Sequence, residues 1–353
     1  MRWLRERRIS ATNLIIWSMG VLIALIALWG TVETLQQQIY APTDWLSFVI
    51  FGLAQGAVYA LIALGYTLVY GILFMINFAH GEIFMGGAYI GYFVARSFDE
   101  SGFLDRQPLV ALAIVFLVAM TVSVTMAITL ERVAYRPLRR APRLVPLITA
   151  IGASLFLQYS FRGLFGTGIK VYPDVDILKG SWTIGGVNVL RIHVIVFVGA
   201  VLMMIGLYWL VQYTKMGKAM RAVAEDKDAA ALMGIDVDRV IVNTFAVGGA
   251  LAGAAGVLFA LYNKQVIHTM GFIPGIKAFT AAVLGGIGNI PGAMFGGLFL
   301  GLFESIGPPL FFTGLGIPSP NQLKDVIAFS MLVLVLIFRP TGLLGEVLAE
   351  KKA

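Results

Sequence analysis

The sequence contains no cysteine, so disulfides, thiolate metal ligands and thiol catalysis are all excluded. Charge is scarce as well: Asp, Glu, Lys and Arg make up 13% of 353 residues, against roughly 25% in an average soluble domain. The three histidines, at 80, 193 and 268, fall in separate segments and offer no clustered metal site. No GxxxxGK[ST] occurs, because Gly217-Lys218 is followed by Ala219, and the chain therefore lacks a cradle for ATP phosphates. GxSxG and HExxH are missing too, which leaves metal and redox catalysis poorly supported. Any source of energy must be another chain or an ion gradient.

What the sequence does have is apolar. It is 59% hydrophobic, with a mean hydropathy of +0.86, and several apolar runs reach about 20 residues, the length of a membrane-crossing helix. Forty glycines would weaken soluble helices but let membrane helices approach closely. These features predict an all-α, polytopic bundle of transmembrane helices that uses residues 1–353 as one domain. The net charge of +7 is concentrated in a few loops, as expected for cytoplasmic loops facing membrane lipid, and is not read as a nucleic-acid surface. The start, MRWLRERR followed by Asn13 to Trp29, resembles a signal peptide, but no small-x-small cleavage pattern follows. An uncleaved extra span over 13–30 is expected.

Charge then orients the spans. Arg2, Arg5, Arg7 and Arg8 put the N-terminus in the cytoplasm. Spans follow at about 45–70, 72–95 and 109–130, the last ending in a basic loop with Arg132, Arg136, Arg139, Arg140 and Arg143. Further spans are expected at about 144–163, 191–213 and 241–262, with 164–190 an exposed segment holding a small hairpin. Phe279 to Gly288 is only half a span, and meets GGIGNIPG (285–292) before helices at about 293–312 and 325–338. The expectation is nine full spans plus one short or broken helix, with both termini cytoplasmic, since Lys351 and Lys352 close the chain. MGGAYIGYF (85–93) and FGGLFLGLF (295–303) share glycines and a phenylalanine in register, a faint sign of duplication.

Three stretches stand apart from the apolar background. Thr214 to Val240 is charged; wound as one helix, it places Met216, Met220, Val223, Ala230 and Gly234 on one stripe, spoiled only by Lys227. Lys218, Arg221, Glu225 and Asp228 lie opposite, with the cations first, the wrong order for the helix dipole. Such charges suit a partner better than an isolated helix. Asn77, His80 and Glu82 form an intramembrane polar cluster, which either lines a pathway or caps a helix break. The GGIGNIPG break, with Gly285, Gly286, Gly288, Asn289 and Pro291, is either a close-packing turn or backbone lining a pathway.

At these stretches the chain resembles the permease subunits of bacterial ABC importers for branched-chain amino acids. The motifs are INFAHGEIFMGGAY (76–89), GKAMRAVAEDKDAAALMGI (217–235), AAVLGGIGNIPGAMFGG (281–297) and FRPTGLLGE (338–346). Relatives of that family also carry urea, short amides or other amino acids. The family's coupling motif, EAA followed by three residues and Gly, is matched by Asp228, Ala229, Ala230 and Gly234, with Asp in place of Glu. The resemblance implies that Gly217 to Gly234 docks on an ATP-binding subunit. It also implies two such subunits carrying ATP and Mg, a second related permease, a periplasmic binding protein and residence in the inner membrane. The chain itself would hold no cofactor and perform no catalysis. Two rival classes remain open on the residues alone. One is an ion-coupled transporter using His80 and Glu82, the other a membrane-embedded hydrolase built on the same pair.

Overall fold

The computed structural model describes residues 11–139, 141–142, 144–184, 186–339 and 341–345. The expectations resting on Arg2 to Arg8 and on Lys351 and Lys352 lie outside the described residues, as do those on Arg140 and Arg143.

Helix α1 (Ala11–Gln36) precedes α2 (Pro42–Leu73), which opens with Pro42 in its first turn and Asp44 accepting the Ala41 N–H. After the non-helical stretch 74–79 come α3 (His80–Glu100), the one-turn α4 (Phe103–Arg106) and α5 (Pro108–Leu130). A π turn and a 3-10 turn extend α5 to Leu138, and α6 (Leu144–Phe165) follows. The connection to α7 (Arg191–Tyr213) holds β1 (Lys170–Val171) and the hairpin of β2 (Ser181–Ile184) with β3 (Val187–Leu190). Next are α8 (Lys215–Glu225), α9 (Lys227–Leu232), α10 (Val237–Asn263), β4 (Gln265–Val266), α11 (Phe272–Gly285), α12 (Ile290–Phe312) and α13 (Lys324–Phe338).

The hairpin expected within 164–190 is present. The second sheet, β1 antiparallel to β4, is not legible in so short a pattern. Both qualify an otherwise all-helical architecture. Among the described residues, seven helices are long and apolar enough to cross a membrane, over 42–73, 108–138, 144–165, 191–213, 237–263, 290–312 and 320–338. Among the rest, α3 is long enough but carries His80, Glu82, Arg96, Asp99 and Glu100. The break after the second span also falls later than the sequence suggests. Helix resumes at His80, not near residue 72, because Phe74 turns left-handed at φ 55° and ends α2.

α2 is the central post, buried almost continuously from Ala54 to Val69. It crosses α12 with the backbones in contact: Gly52, Gly56 and Ala60 face Gly297 and Gly301 at four-residue spacing. A side chain on Gly301 would run into the Gly56 backbone, and one on Gly297 into Ala60. A similar close approach joins Gly87 of α3 to Gly253 of α10. Each of the two glycine-rich nonapeptides thus supplies one backbone-to-backbone approach or more, though Gly86 and Gly91 of α3 meet side chains where Gly296 and Gly301 of α12 meet backbone. α1 lies outside this core, its Gly30 against the end of α12 and its Thr34 hydroxyl accepting the Gly314 N–H at 2.7 Å.

Gly301→Leu is expected to destabilise the fold by about 3 kcal/mol, the upper end for overpacking. Gly152→Leu, at a helix position with open space around it, should change stability by less than about 1 kcal/mol. Thermal unfolding of the two variants in detergent measures the difference.

Candidate functional site

The charged stretch is not one helix. Asp226 adopts extended backbone and its carboxylate accepts the N–H groups of Asp228 and Ala229 at 2.9 and 3.0 Å, ending α8 and capping α9. Thr214 caps α8 by accepting the Gly217 N–H, and Asp236 caps α10 by accepting that of Arg239. The split corrects the dipole argument: Asp226 and Asp228 now sit at the N-terminus of their own helix, where acids are stabilising. The stripe largely survives the break, since Met220, Val223 and Ala230 are buried. Gly217 is buried as well, packed against the Val211 carbonyl at the end of α7.

Around this anchored face, Lys218, Glu225, Asp228 and Ala229 are exposed. Arg221 turns back, donating to the Val211 carbonyl at 2.5 Å and to the Gln212 side chain at 2.9 Å, and so ties α8 to the last turn of α7. Gly234 does not belong to the buried stripe. It is exposed, with φ 83°, and makes the left-handed turn between α9 and α10. Beside it Leu232 and Met233 stand out at 88% and 82% exposure. The helical wheel missed them because it continued a helix past the point where the chain turns.

Asn77, His80 and Glu82 are all buried, and none caps the break through its side chain. Asn77 Oδ1 accepts the Tyr135 hydroxyl at 2.6 Å. The His80 ring lies against Gly65 of α2, edge-on to Tyr66 with centroids 5.0 Å apart. Glu82 Oε1 accepts from Ser154 and Gln158 of α6 at 3.2 Å each, while Oε2 faces Gly271 at the start of α11. His80 and Glu82 therefore point to different neighbours and form no pair.

The GGIGNIPG stretch is a turn between two helices, bonded to Leu344 and capped by its own Asn289. α11 ends at Gly285, and Gly286 and Gly288 take φ values of 107° and 95° that L side chains rarely adopt. Asn289 Oδ1 then caps α12 through the Gly292 N–H, with Pro291 in the first helical turn. The half-span is longer and earlier than expected, Phe272–Gly285; at 1.5 Å per residue its 14 residues reach about 21 Å, short of a bilayer core. Residues 342–345 fold onto this turn. Leu343 and Leu344 donate to Leu284 and Gly285 at 2.8 and 3.0 Å, and Asn289 donates to the Leu344 carbonyl at 2.8 Å. Two motifs far apart in sequence thus form one structure.

A family model described as the branched-chain amino acid transport system permease component matches residues 48–336, from within α2 to within α13. The chain belongs to this permease family. BraD of Pseudomonas aeruginosa, a high-affinity branched-chain amino acid transport system permease protein, is 44% identical over 310 residues. That alignment covers 87% of this chain and 98% of BraD. LivH of Escherichia coli K12, described in the same words, is 41% identical over 85% of this chain and 95% of its own length. A LivM permease protein of Methanocaldococcus jannaschii is 29% identical over 143 residues, 38% of this chain and 40% of that protein.

In this permease a second polar cluster escaped the sequence reading. Lys277 of α11 bridges Glu304 of α12 at 2.7 Å and Asp325 of α13 at 2.6 Å. Tyr59 and Gln55 of α2 donate to the other Glu304 oxygen at 3.0 and 3.2 Å. Lys277 and Glu304 are buried. The signal was available: a lone Lys in FIPGIKAFTAAVLG and a lone Glu in GLFESIG are intramembrane charges of opposite sign. Only the fold pairs them.

Lys277→Met leaves the Glu304 carboxylate buried without its cation and should cost about 3–5 kcal/mol. Adding Glu304→Met should return most of that loss. Unfolding of the single and double variants in detergent gives the coupling; equal losses in both would count against the pair.

Proposed function

We propose that this chain is the membrane-spanning permease subunit of an ATP-driven importer, which moves branched-chain amino acids without altering them chemically. Family membership and the high identity to BraD and LivH support the substrate class. The chain has no phosphate cradle, so ATP and Mg are assigned to two ATP-binding partner subunits. Likeness to LivM over part of the chain supports a second, related permease beside it. A substrate-binding protein would dock at the opposite end from 214–240, where β1 and β4 join the 164–190 segment to the start of 263–276. In this reading α1 and α3 also cross the bacterial inner membrane, giving nine full spans with α11 as the short helix and both termini cytoplasmic.

The observation that carries the coupling role is the tip of 214–240. A buried face and three side-chain caps hold the segment on the bundle, yet Leu232 and Met233 project beside a left-handed glycine turn. Apolar knobs on an otherwise charged, anchored protrusion suit a groove in another protein. Lys218, Glu225 and Asp228 would form the polar rim. Asn77, His80 and Glu82 we place at the break as a gate on the translocation pathway.

Leu232→Glu with Met233→Glu should weaken association with the ATP-binding subunits by about 30-fold or more, read as loss of co-purifying ATPase from membranes that still contain the chain. Gly234→Val, which strains a left-handed turn, should abolish ATP-dependent leucine uptake in vesicles, whereas Gly234→Asn retains part of it. Uptake of urea but not leucine by the reconstituted complex would overturn the substrate assignment. Uptake driven by an ion gradient in the isolated chain would overturn the importer reading altogether.

A further inference from the structure

The coupling segment and the break at 74–79 are joined by a short chain of charged and hydroxyl groups at the end of α5. Glu131–Tyr135 form a single π turn, a device that recurs at functional sites. The wide turn buries Glu131 and Tyr135 completely and leaves Arg132 and Val133 exposed. Just beyond it, Arg139 donates one guanidinium nitrogen to Glu131 and the other to Asp238. Asp238 lies in the first turn of α10, four residues after Gly234, and also accepts from Arg136 at 2.6 Å. From the same π turn, the Tyr135 hydroxyl donates to Asn77 in the break, while its ring packs on Phe245 of α10 at 5.7 Å. A cavity of about 230 Å³ lies between the two ends of this chain, with Phe74 and Met75 of the break on one side and Arg139 and Lys227 on the other. Burial, and then the charge of Arg139, hold the Lys227 ammonium below the usual lysine range.

Resting on the permease reading above, we propose that Arg139 and Tyr135 are positioning residues that carry displacement of the coupling segment to the 74–79 break. The physical reason is asymmetry of cost. Glu131 is fully buried, and among the described residues Arg139 is its one ion-pair partner. Letting go would strand a buried carboxylate, which is far costlier than keeping the pair. Movement of Asp238 with the coupling segment therefore pulls Arg139, and Arg139 pulls the π turn. Tyr135 passes the shift to Asn77, whose carbonyl accepts the first N–H of α3 at 3.1 Å. The break itself is the compliant part, since its backbone lies outside any helical ladder.

The test uses the full reconstituted complex and measures ATP hydrolysis and leucine uptake on the same vesicles for Tyr135→Phe, Arg139→Gln and Arg139→Lys. The expected result is that Tyr135→Phe and Arg139→Gln keep their ATP hydrolysis while uptake per ATP falls about fivefold or more. The two changes combined should lose little beyond the worse single variant, because they interrupt one chain, and Arg139→Lys should restore part of the ratio. An unchanged ratio in Tyr135→Phe, which removes only a hydroxyl, overturns the proposal even if Arg139→Gln does not insert. So does a parallel fall of hydrolysis and uptake in every variant, the mark of a purely structural role. A wild-type complex without ATP-dependent uptake would instead overturn the permease reading, and the two failures are distinguishable.

Discussion

The structure depends on one contact above others, the crossing of α2 and α12 where backbone meets backbone. In a lipid environment apolar side chains gain nothing by leaving one oily surface for another, so association must come from close packing and polar bonds. Gly52, Gly56 and Ala60 against Gly297 and Gly301 supply the first. The buried bridge of Lys277 and Glu304, with Tyr59 and Gln55 reaching over from α2, supplies the second at the same junction. α11, too short to span, is held to α12 and α13 by that charge and by the glycine turn onto which Leu343 and Leu344 fold.

The rest of the bundle is packed in graded fashion around this post. α10, α5 and α3 meet through small residues and a Ser123 hydroxyl donating to the Ile83 carbonyl at 2.9 Å. α6 is mostly exposed, anchored near Glu82 by Ser154 and Gln158. A centre packed backbone to backbone thus stands beside a stretch, 74–79, that is not helical. A partner can shift a conformational equilibrium only by contacting one state better than the other. For the importer proposed above, the exposed tip at Leu232 and Met233 is the place assigned to that contact.

The break shows why the same residues read so differently in one and three dimensions. INFAHGEI announces that something other than a continuous helix is present, because Asn, His and Glu are costly within a membrane. It does not announce that Asn77 answers to Tyr135, 58 positions away, or that Glu82 answers to α6. Likewise the spacing of Met220, Val223 and Ala230 identified the buried face of the charged segment 214–240, while the helical wheel placed Gly234 on it wrongly.

By itself, then, the sequence determined what depends on composition, local period and short motifs. That includes a membrane-embedded helical bundle, most of its long helices, the hairpin in 164–190, the turn at GGIGNIPG and the family. These are local quantities, fixed by hydrophobic length, turn chemistry and the spacing of small residues. Only the tertiary structure decided which lone charges become partners, that Asp226 splits the charged segment 214–240, and that Leu343 and Leu344 fold onto the α11–α12 turn. Each of those rests on contacts between residues distant along the chain, and a one-dimensional pattern carries no record of which distant groups will meet.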